Sequence, residues 1–456
     1  MVLSPLTAIS PIDGRYEKKT VCLRSIFSEY ALLKFRVQIE ILWIKKLSAI
    51  SEISEVPILK NSTHLFLDNI INNFSEEDAM YIKFLEQDTK HDIKSIEYFL
   101  KQKFFLIPEL KNIIEFIHFA CTSEDINNLA YALMLKHARK QIILKNWEQI
   151  IKAIDNMAIS YKKVPLLSRT HGQPATPSTV GKEMINFSYR LKRQLKKLKK
   201  IEILGKFNGA TGNYNAHLAA YPNINWHNIS KSFVVSLGIS WNPYTTQIEP
   251  HDYIAEFFSC ISIFNTILLD FNRDIWGYIS LGYFKQKILF GEIGSSTMPH
   301  KVNPIHFENS EGNLGLSNAL IDHINAKLLI SRWQRDLSDS TVLRNLGVII
   351  SYAVIAYDAV LLGIKKIEIN EHTLLLDLNN HCEILAEAIQ TVMRKFSVSE
   401  PYEKLKQLTQ GKCINMIAIH NFIEKLNIPT QEKNRLISFT PSNYIGNAVQ
   451  LVDENE

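Results

Sequence analysis

The chain has 456 residues, 46% of them hydrophobic and 21% charged, so it can bury a sizeable core and does not have the composition of a disordered chain. Its 51 basic and 46 acidic residues are mixed along the whole sequence and leave a formal charge of +5, which singles out neither nucleic acid nor a membrane as a partner. The length exceeds one ordinary core and predicts two or three domains, or one long bundle with appended ends.

From Met1 to Arg15 there is no basic start followed by an apolar stretch, and Pro5 and Pro11 interrupt the segment, so no secretory leader is expected. The five cysteines, Cys22, Cys121, Cys260, Cys382 and Cys413, are far apart and form no C-x-x-C pair, which fits a reducing, cytoplasmic setting. Apolar residues recur three and four apart in Phe27 to Leu47, Ala130 to Tyr161, Ser178 to Leu204, Ile254 to Leu281, Ser310 to Ser331 and Leu346 to Ile364. Strand-like alternation is scarce, so an all-α fold is expected. Boundaries are placed after the Pro108 turn and its following helix, and where an apolar helix ends in Lys365 and Lys366. They divide the chain into an N-terminal helical domain (1–120), a central long-helix domain (121–365) and a C-terminal helical domain (366–456).

Two helices have a competing reading. Tyr189 to Glu202 surrounds Leu191, Leu195, Leu198 and Ile201 with six basic residues, which a nucleic-acid contact or the solvated face of a bundle helix would equally produce. The solvated face is the commoner cause. Leu346 to Ile364 is apolar enough to suggest a membrane span, but it carries Asp358, Ser351, Tyr352 and Tyr357 and reads as a buried bundle helix.

Gly and Pro collect in Val164 to Pro177, Gly205 to Pro222, Asn242 to Pro250 and Phe290 to Pro304, and catalytic groups favour such loops on a rigid scaffold. The chain has no G-x-x-x-x-G-K-[ST] phosphate loop, no G-x-G-x-x-G and no H-E-x-x-H. His300 and His306 have no acidic or cysteine partner at a ligand spacing, so no metal is expected.

Cys121-Thr-Ser-Glu-Asp-Ile-Asn-Asn128 reads as a helix start capped by Thr122 or Ser123, whose N–H groups also suit a substrate carboxylate. In Ser168 to Pro177, His171 stands beside a glycine among hydroxyls and an amide, a setting for proton exchange or for a structural donor. Gly291 to Pro304 runs from a glycine-rich start to a proline-stiffened end, with Lys301 and Asn303 offering a charge and an amide. A lid over a carboxylate and a turn-rich linker both fit that composition. From Ser331 to Arg344, the side chains of Arg335, Ser340 and Arg344 suit a phosphate, and ion pairs to Asp336 and Asp339 are the alternative.

Taken together, these segments resemble the fumarase and aspartase superfamily, whose loop G-S-S-x-M-P-x-K-x-N-P is matched from Gly294 to Pro304. Within it, Arg169-Thr-His-Gly-Gln173 and Arg335-Asp-Leu-Ser-Asp-Ser340 resemble the adenylosuccinate lyase family in its long bacterial form. The similarity extends from Ser10-Pro-Ile-Asp-Gly-Arg-Tyr16 through Thr245-Thr-Gln-Ile-Glu-Pro-His-Asp252 to Pro401-Tyr-Glu-Lys-Leu405. The resemblance implies three mostly helical domains, a homotetramer around long central helices, and active sites shared between subunits. It also implies release of fumarate from small-molecule nucleotide substrates in purine synthesis, without a cofactor.

By the same resemblance His171 is the acid and Ser295 the base. Thr122, Ser123, Ser296, Lys301 and Asn303 would hold the succinyl carboxylates, and Gln247 and Asn309 would contact substrate. Arg15, Tyr16, His91, Asp92, Arg335, Ser340 and Arg344 would bind the nucleotide end. The family usually has Asn before the His-Asp pair, where this chain has Lys90, a further candidate for the phosphate end. The competing readings are another fumarate-producing lyase, such as argininosuccinate lyase, and an inactive structural member of the superfamily.

Overall fold

The computed structural model describes residues 2–287, 298, 301–409 and 414–454. These are overwhelmingly helical, and the strands among them are four two-stranded ladders with no strand longer than three residues. The long apolar segments all become helices: Glu29–Ser48, Ser123–Ala138 continuing into Leu144–Ser160, Val180–Lys200, Asp252–Ser280, Ile305–Leu328 and Leu346–Lys366.

The chain forms two compact units. One comprises Met1–Asn146, Gln194–Asn265 and Gly312–Asp358; the other comprises Trp147–Arg193, Thr266–Glu311 and Ala359–Glu456. All five divisions fall inside helices.

In the first unit, the Ser28 hydroxyl caps Glu29–Ser48 by accepting the Ala31 N–H at 3.2 Å, while Lys45 and Lys46 oppose the carbonyl end. This helix buries Leu33, Val37, Ile41 and Ile44, and it packs against Ser123–Ala138. Trp43 anchors an aromatic cluster, with ring centroids 4.4 Å from Phe207, 5.2 Å from Phe233 and 6.4 Å from Trp226. Its indole N–H donates to the Phe119 carbonyl at 3.0 Å, so the ring is buried without losing a hydrogen bond. His217 lies in the same cluster, 4.9 Å from Trp226. Among the described residues its ring nitrogens have no hydrogen-bond partner, and burial pushes its pKa down to about 4.

The long helices of this unit are joined by buried amide and hydroxyl bonds as well as apolar packing. Asn265 donates to Asn318 at 3.0 Å and accepts from the Tyr357 hydroxyl at 2.6 Å, and the Ser317 hydroxyl donates to the Ile349 carbonyl at 3.1 Å. Asp252–Ser280 and Ser338–Lys366 are long and apolar enough to cross a membrane, yet 61% of the most apolar stretch of each is buried in protein. Asp358, which argued against a span, pairs with Lys19.

In the second unit, Leu378, Leu385, Ile389, Met393, Leu405, Ile419, Ile423 and Leu436 form a core under Leu167. These residues come from short helices between Glu371 and Ile437 that the sequence patterns did not single out. Glycine is required where backbones meet: a Cβ on Gly181 would lie 2.4 Å from the Ala158 carbonyl oxygen. The basic face of Val180–Lys200 is largely solvated. Lys196, Lys197, Lys199 and Lys200 are exposed, Leu191 and Leu198 are buried, and Lys192 pairs with Asp155 at 3.0 Å.

Candidate active site

The first unit gathers most of the residues assigned to the nucleotide end. Glu76–Thr89 stops at Lys90, which is exposed and left-handed with φ 51°, and the chain restarts as Asp92–Phe105 with the His91 ring accepting the Lys94 N–H at 3.2 Å. Asp92 faces Arg36 at 2.8 Å and Arg344 at 3.9 Å. Burial pushes the Asp92 carboxyl up, but Arg36, the Ile93 N–H, His91 and Arg344 together outweigh that and hold it below its ordinary range.

Arg36 is 1% exposed, the one buried cation of the helix Glu29–Ser48. Its Nε donates to Asn127 at 2.9 Å, and Asn127 donates to Glu124 at 3.0 Å. Glu124 pairs with Arg335 at 2.9 Å, and the other arm of Arg335 lies 3.7 Å from Asp339. Asp339 meets His251 Nε2 at 3.2 Å, and His251 is itself buried with φ 68°. A continuous chain of ion pairs and hydrogen bonds, with the neutral Asn127 between Arg36 and Glu124, therefore runs from Asp92 to His251.

Arg335 is committed to carboxylates, as the ion-pair alternative anticipated for Asp339. Asp336 instead accepts from Ser338 and from the Arg332 N–H. Arg344 is the freer cation: it is 40% exposed and donates to Ser340 Oγ at 2.8 Å. It also lines a cavity of about 220 Å³ with Ile12, Asp13, Arg24, Ser28 and Ser351, next in sequence to Arg15 and Tyr16. Arg15 is exposed, its guanidinium 6.0 Å from the Tyr16 ring centroid. Gln247 is held by its N–H to Gln334 at 3.3 Å and by its amide to Ala210 at 3.1 Å. Arg36, Glu124, Asn127, His251 and Asp339 were missing from the sequence assignment. Glu124, Asn127, His251 and Asp339 lie within segments that carry the resemblance, Asp339 already as an ion-pair partner, whereas the only signal for Arg36 was a charge inside an apolar helical stripe.

Thr122 is the residue that caps Ser123–Ala138. Its N–H donates to Asp125 Oδ2 at 2.9 Å, so part of the donor set proposed for a carboxylate is already used by the cap, while the Thr122 and Ser123 side chains remain half-buried. Asp125 is fully buried, pairs with the equally buried Lys206 at 2.9 Å, and accepts the Asn208 and Gly209 N–H groups. Replacing Asp125 by asparagine would strand the Lys206 ammonium without its counter-charge. The expected cost is about 3–5 kcal/mol, read as a lower thermal unfolding midpoint. An unchanged midpoint would mean that the pair does not hold this helix start.

The second unit carries His171, Lys301, Asn303 and Asn309. Val164 to Pro177, expected as a loop, and Ser178 and Thr179, expected at a helix start, form two nested hairpins: Pro165–Leu166 with Ser178–Thr179, and Arg169–Thr170 with Gln173–Pro174. His171 and Gly172 form the inner turn with φ 52° and 75°, the positive pair of a two-residue hairpin turn. The imidazole is exposed at the tip. Lys301 is exposed, Asn303 is half-buried just before the helix Ile305–Leu328, and Asn309 lies in that helix's second turn. Ser295 and Ser296 lie outside the described residues. Among the described residues no cluster of His, Cys, Asp and Glu is arranged to hold a metal.

Residues 14–317 match a family model described as Lyase, and residues 331–445 match one described as Adenylosuccinate lyase C-terminal. The chain is 62% identical over 454 residues to the adenylosuccinate lyase of Escherichia coli strain K12, covering all of both chains. It is 63% identical over 456 residues to the adenylosuccinate lyase of Buchnera aphidicola subsp. Acyrthosiphon pisum, again over all of both. Among solved structures it resembles a fumarate lyase from Mesorhizobium sp. BNC1, with a TM-score of 0.75 at 17% identity over 95% of this chain and 97% of that one. It also resembles the 3-carboxy-cis,cis-muconate lactonizing enzyme of Pseudomonas putida, with a TM-score of 0.72 at 20% identity over 95% and 96%. At such identities these two likenesses speak for the fold alone.

Proposed function

The chain belongs to the adenylosuccinate lyase family, and on that premise we propose that its fumarate-releasing elimination is divided between His171 as acid and Ser295 as base. It is a lyase of purine nucleotide synthesis that splits adenylosuccinate into AMP and fumarate. The observation that carries this is the 62–63% identity to adenylosuccinate lyases over the whole chain. The succinylated aminoimidazole carboxamide ribotide of the same pathway is the second substrate proposed.

The chemistry accounts for the residue types. Ser295 Oγ, as the alkoxide, takes the proton from the carbon beside a carboxylate, the C–N bond then breaks, and His171 protonates the departing purine amine. Charge accumulates on the succinyl carboxylates, where Lys301, Asn303, Thr122, Ser123 and Ser296 would hold it, with Gln247 and Asn309 as further contacts. Arg344, Ser340, Arg15, Tyr16, His91, Asp92 and Lys90 would receive the nucleotide end. Arg335 then acts there within its ion pairs to Glu124 and Asp339.

A homotetramer with shared sites, the three-part division near residues 120 and 365, and a soluble cytoplasmic enzyme belong to the same proposal. Exposed Ile263, Trp276 and Leu316 on the long helices support an interface there. An absorbance assay with purified enzyme decides the activity. Adenylosuccinate should be consumed as fumarate appears, and turnover of argininosuccinate instead would transfer the chain to that lyase.

Lys90 departs from the family's usual Asn, and its φ of 51° is a conformation that Asn tolerates better than Lys. Lys90→Asn should therefore leave the fold at least as stable while removing an ammonium from the phosphate end. KM for adenylosuccinate should rise a few-fold at low salt, and its salt dependence should flatten. A KM equal to wild type at every salt concentration would remove Lys90 from the site.

A further inference from the structure

The hairpin bearing His171 is too small to hold itself. Each strand has two residues, Pro174 contributes no N–H, and an isolated hairpin of this kind is marginal in water. Ala175 closes its base by donating to the Ser168 carbonyl at 2.8 Å. Two side-chain ties do the rest. Two residues beyond the outgoing strand the Thr176 hydroxyl donates to Glu387 at 2.6 Å.

On the incoming strand, Arg169 donates through one arm to the Tyr283 hydroxyl at 2.6 Å and through the other to Asp377 Oδ2 at 2.6 Å. Tyr283 donates its own hydroxyl proton to the same carboxylate oxygen, so guanidinium, phenol and carboxylate each touch the other two. Tyr283 is 2% exposed, just before the strand Phe284–Gln286, and Asp377 projects from the helix Glu371–Asn379. Burial alone would raise the Asp377 carboxyl, but Tyr283 and Arg169 hold it below its ordinary range, so the anion is the form present.

The Arg169–Asp377 pair is partly exposed, at 26% and 20%, and such pairs contribute little to stability. What this one does provide is geometry. His171 lies two residues beyond Arg169, its backbone is left-handed, and among the described residues its imidazole has no hydrogen-bond partner. The ring's place in space is therefore set by the hairpin backbone, and the hairpin's incoming strand is set by Arg169. We propose that Arg169, Tyr283 and Asp377 form a positioning triad that holds the His171 hairpin in place for proton transfer to the leaving amine. This rests on His171 being the acid.

The test uses full-length enzyme and steady-state kinetics with adenylosuccinate. Asp377→Asn keeps the shape and removes the charge, and it should lower kcat about 10- to 100-fold, with KM within about threefold, because misplacing a reacting group by an ångström costs about that much. Tyr283→Phe, which keeps the ring, should lower kcat about three- to tenfold. The double variant Arg169→Met with Asp377→Asn should be no slower than Arg169→Met alone, since both act through one contact. If Asp377→Asn does not fold, Tyr283→Phe decides. Wild-type kcat in the folded variants, or losses that only follow the thermal midpoint, would overturn the triad. His171→Ala separates the two readings: a dead His171→Ala beside fully active triad variants defeats the positioning role alone, and an active His171→Ala defeats the acid assignment.

Discussion

Ser295→Ala is expected to cut turnover by a factor of about a thousand or more while adenylosuccinate still binds with near-wild-type affinity. A general base does its work in the transition state, so its removal falls on kcat. The ground-state contacts proposed for the carboxylates and the phosphate, from Lys301 and Asn303 to Arg344, are untouched by the change. Equilibrium binding to the variant should give a Kd close to that of wild type, and quenched samples should contain bound substrate with no fumarate. Ser295 lies outside the described residues, and its role rests on the match of Gly294 to Pro304 to the superfamily loop. Near-normal turnover with a raised KM would make Ser295 a binding group and move the base elsewhere.

Mixing two dead enzymes is expected to restore activity. In the shared-site proposal, the His171 and Ser295 of one site come from different subunits, so His171→Ala and Ser295→Ala oligomers that exchange subunits would assemble some sites with both groups intact. With equal amounts and random reassembly, each donor chain is suitable half the time, and about a quarter of wild-type activity should return. The exposure of the His171 imidazole at a hairpin tip suits a residue completed by a neighbouring chain. Each variant taken alone through the same dissociation and reassembly should stay inactive. Mixed oligomers that demonstrably exchange and regain nothing would put both residues in one chain.

The long helices were legible because burying one face of a helix imposes a period on the sequence, and that period survives over segments such as Asp252–Ser280. The short C-terminal helices were not, since helices of eight to ten residues, such as Thr430–Ile437, carry too few turns for a period to stand out. The His171 turn left a faint signature: His-Gly is a pair that accepts positive φ, but strands of two residues show no alternation to flank it.

Side-chain partnerships were the least legible part of the site. Arg36 meets Asp92 and Asn127 across 56 and 91 residues, and Arg169 meets Tyr283 and Asp377 across 114 and 208. No spacing rule links such positions. The sequence offered Asp336 and Asp339 as ion-pair partners in the segment Ser331 to Arg344, yet the nearer carboxylate on Arg335 is Glu124.

The cluster around Trp43 equips the first unit with its own optical probe. Of the chain's six tryptophans, Trp43 and Trp226 are buried together beside His217, whereas Trp333, also in this unit, is almost fully exposed. Buried indoles emit at shorter wavelength than solvated ones, so Trp43 and Trp226 emit toward the blue, as does the fully buried Trp147 of the second unit, and Trp333 emits toward the red. Neutral imidazole quenches indole far less than imidazolium, and His217 stays neutral down to about pH 4 while the fold lasts. The buried ring beside Trp43 and Trp226 is therefore no imidazolium through the neutral range, and opening this core below the ordinary histidine pKa of about 6.5 would release both indoles to water and to a protonated ring together.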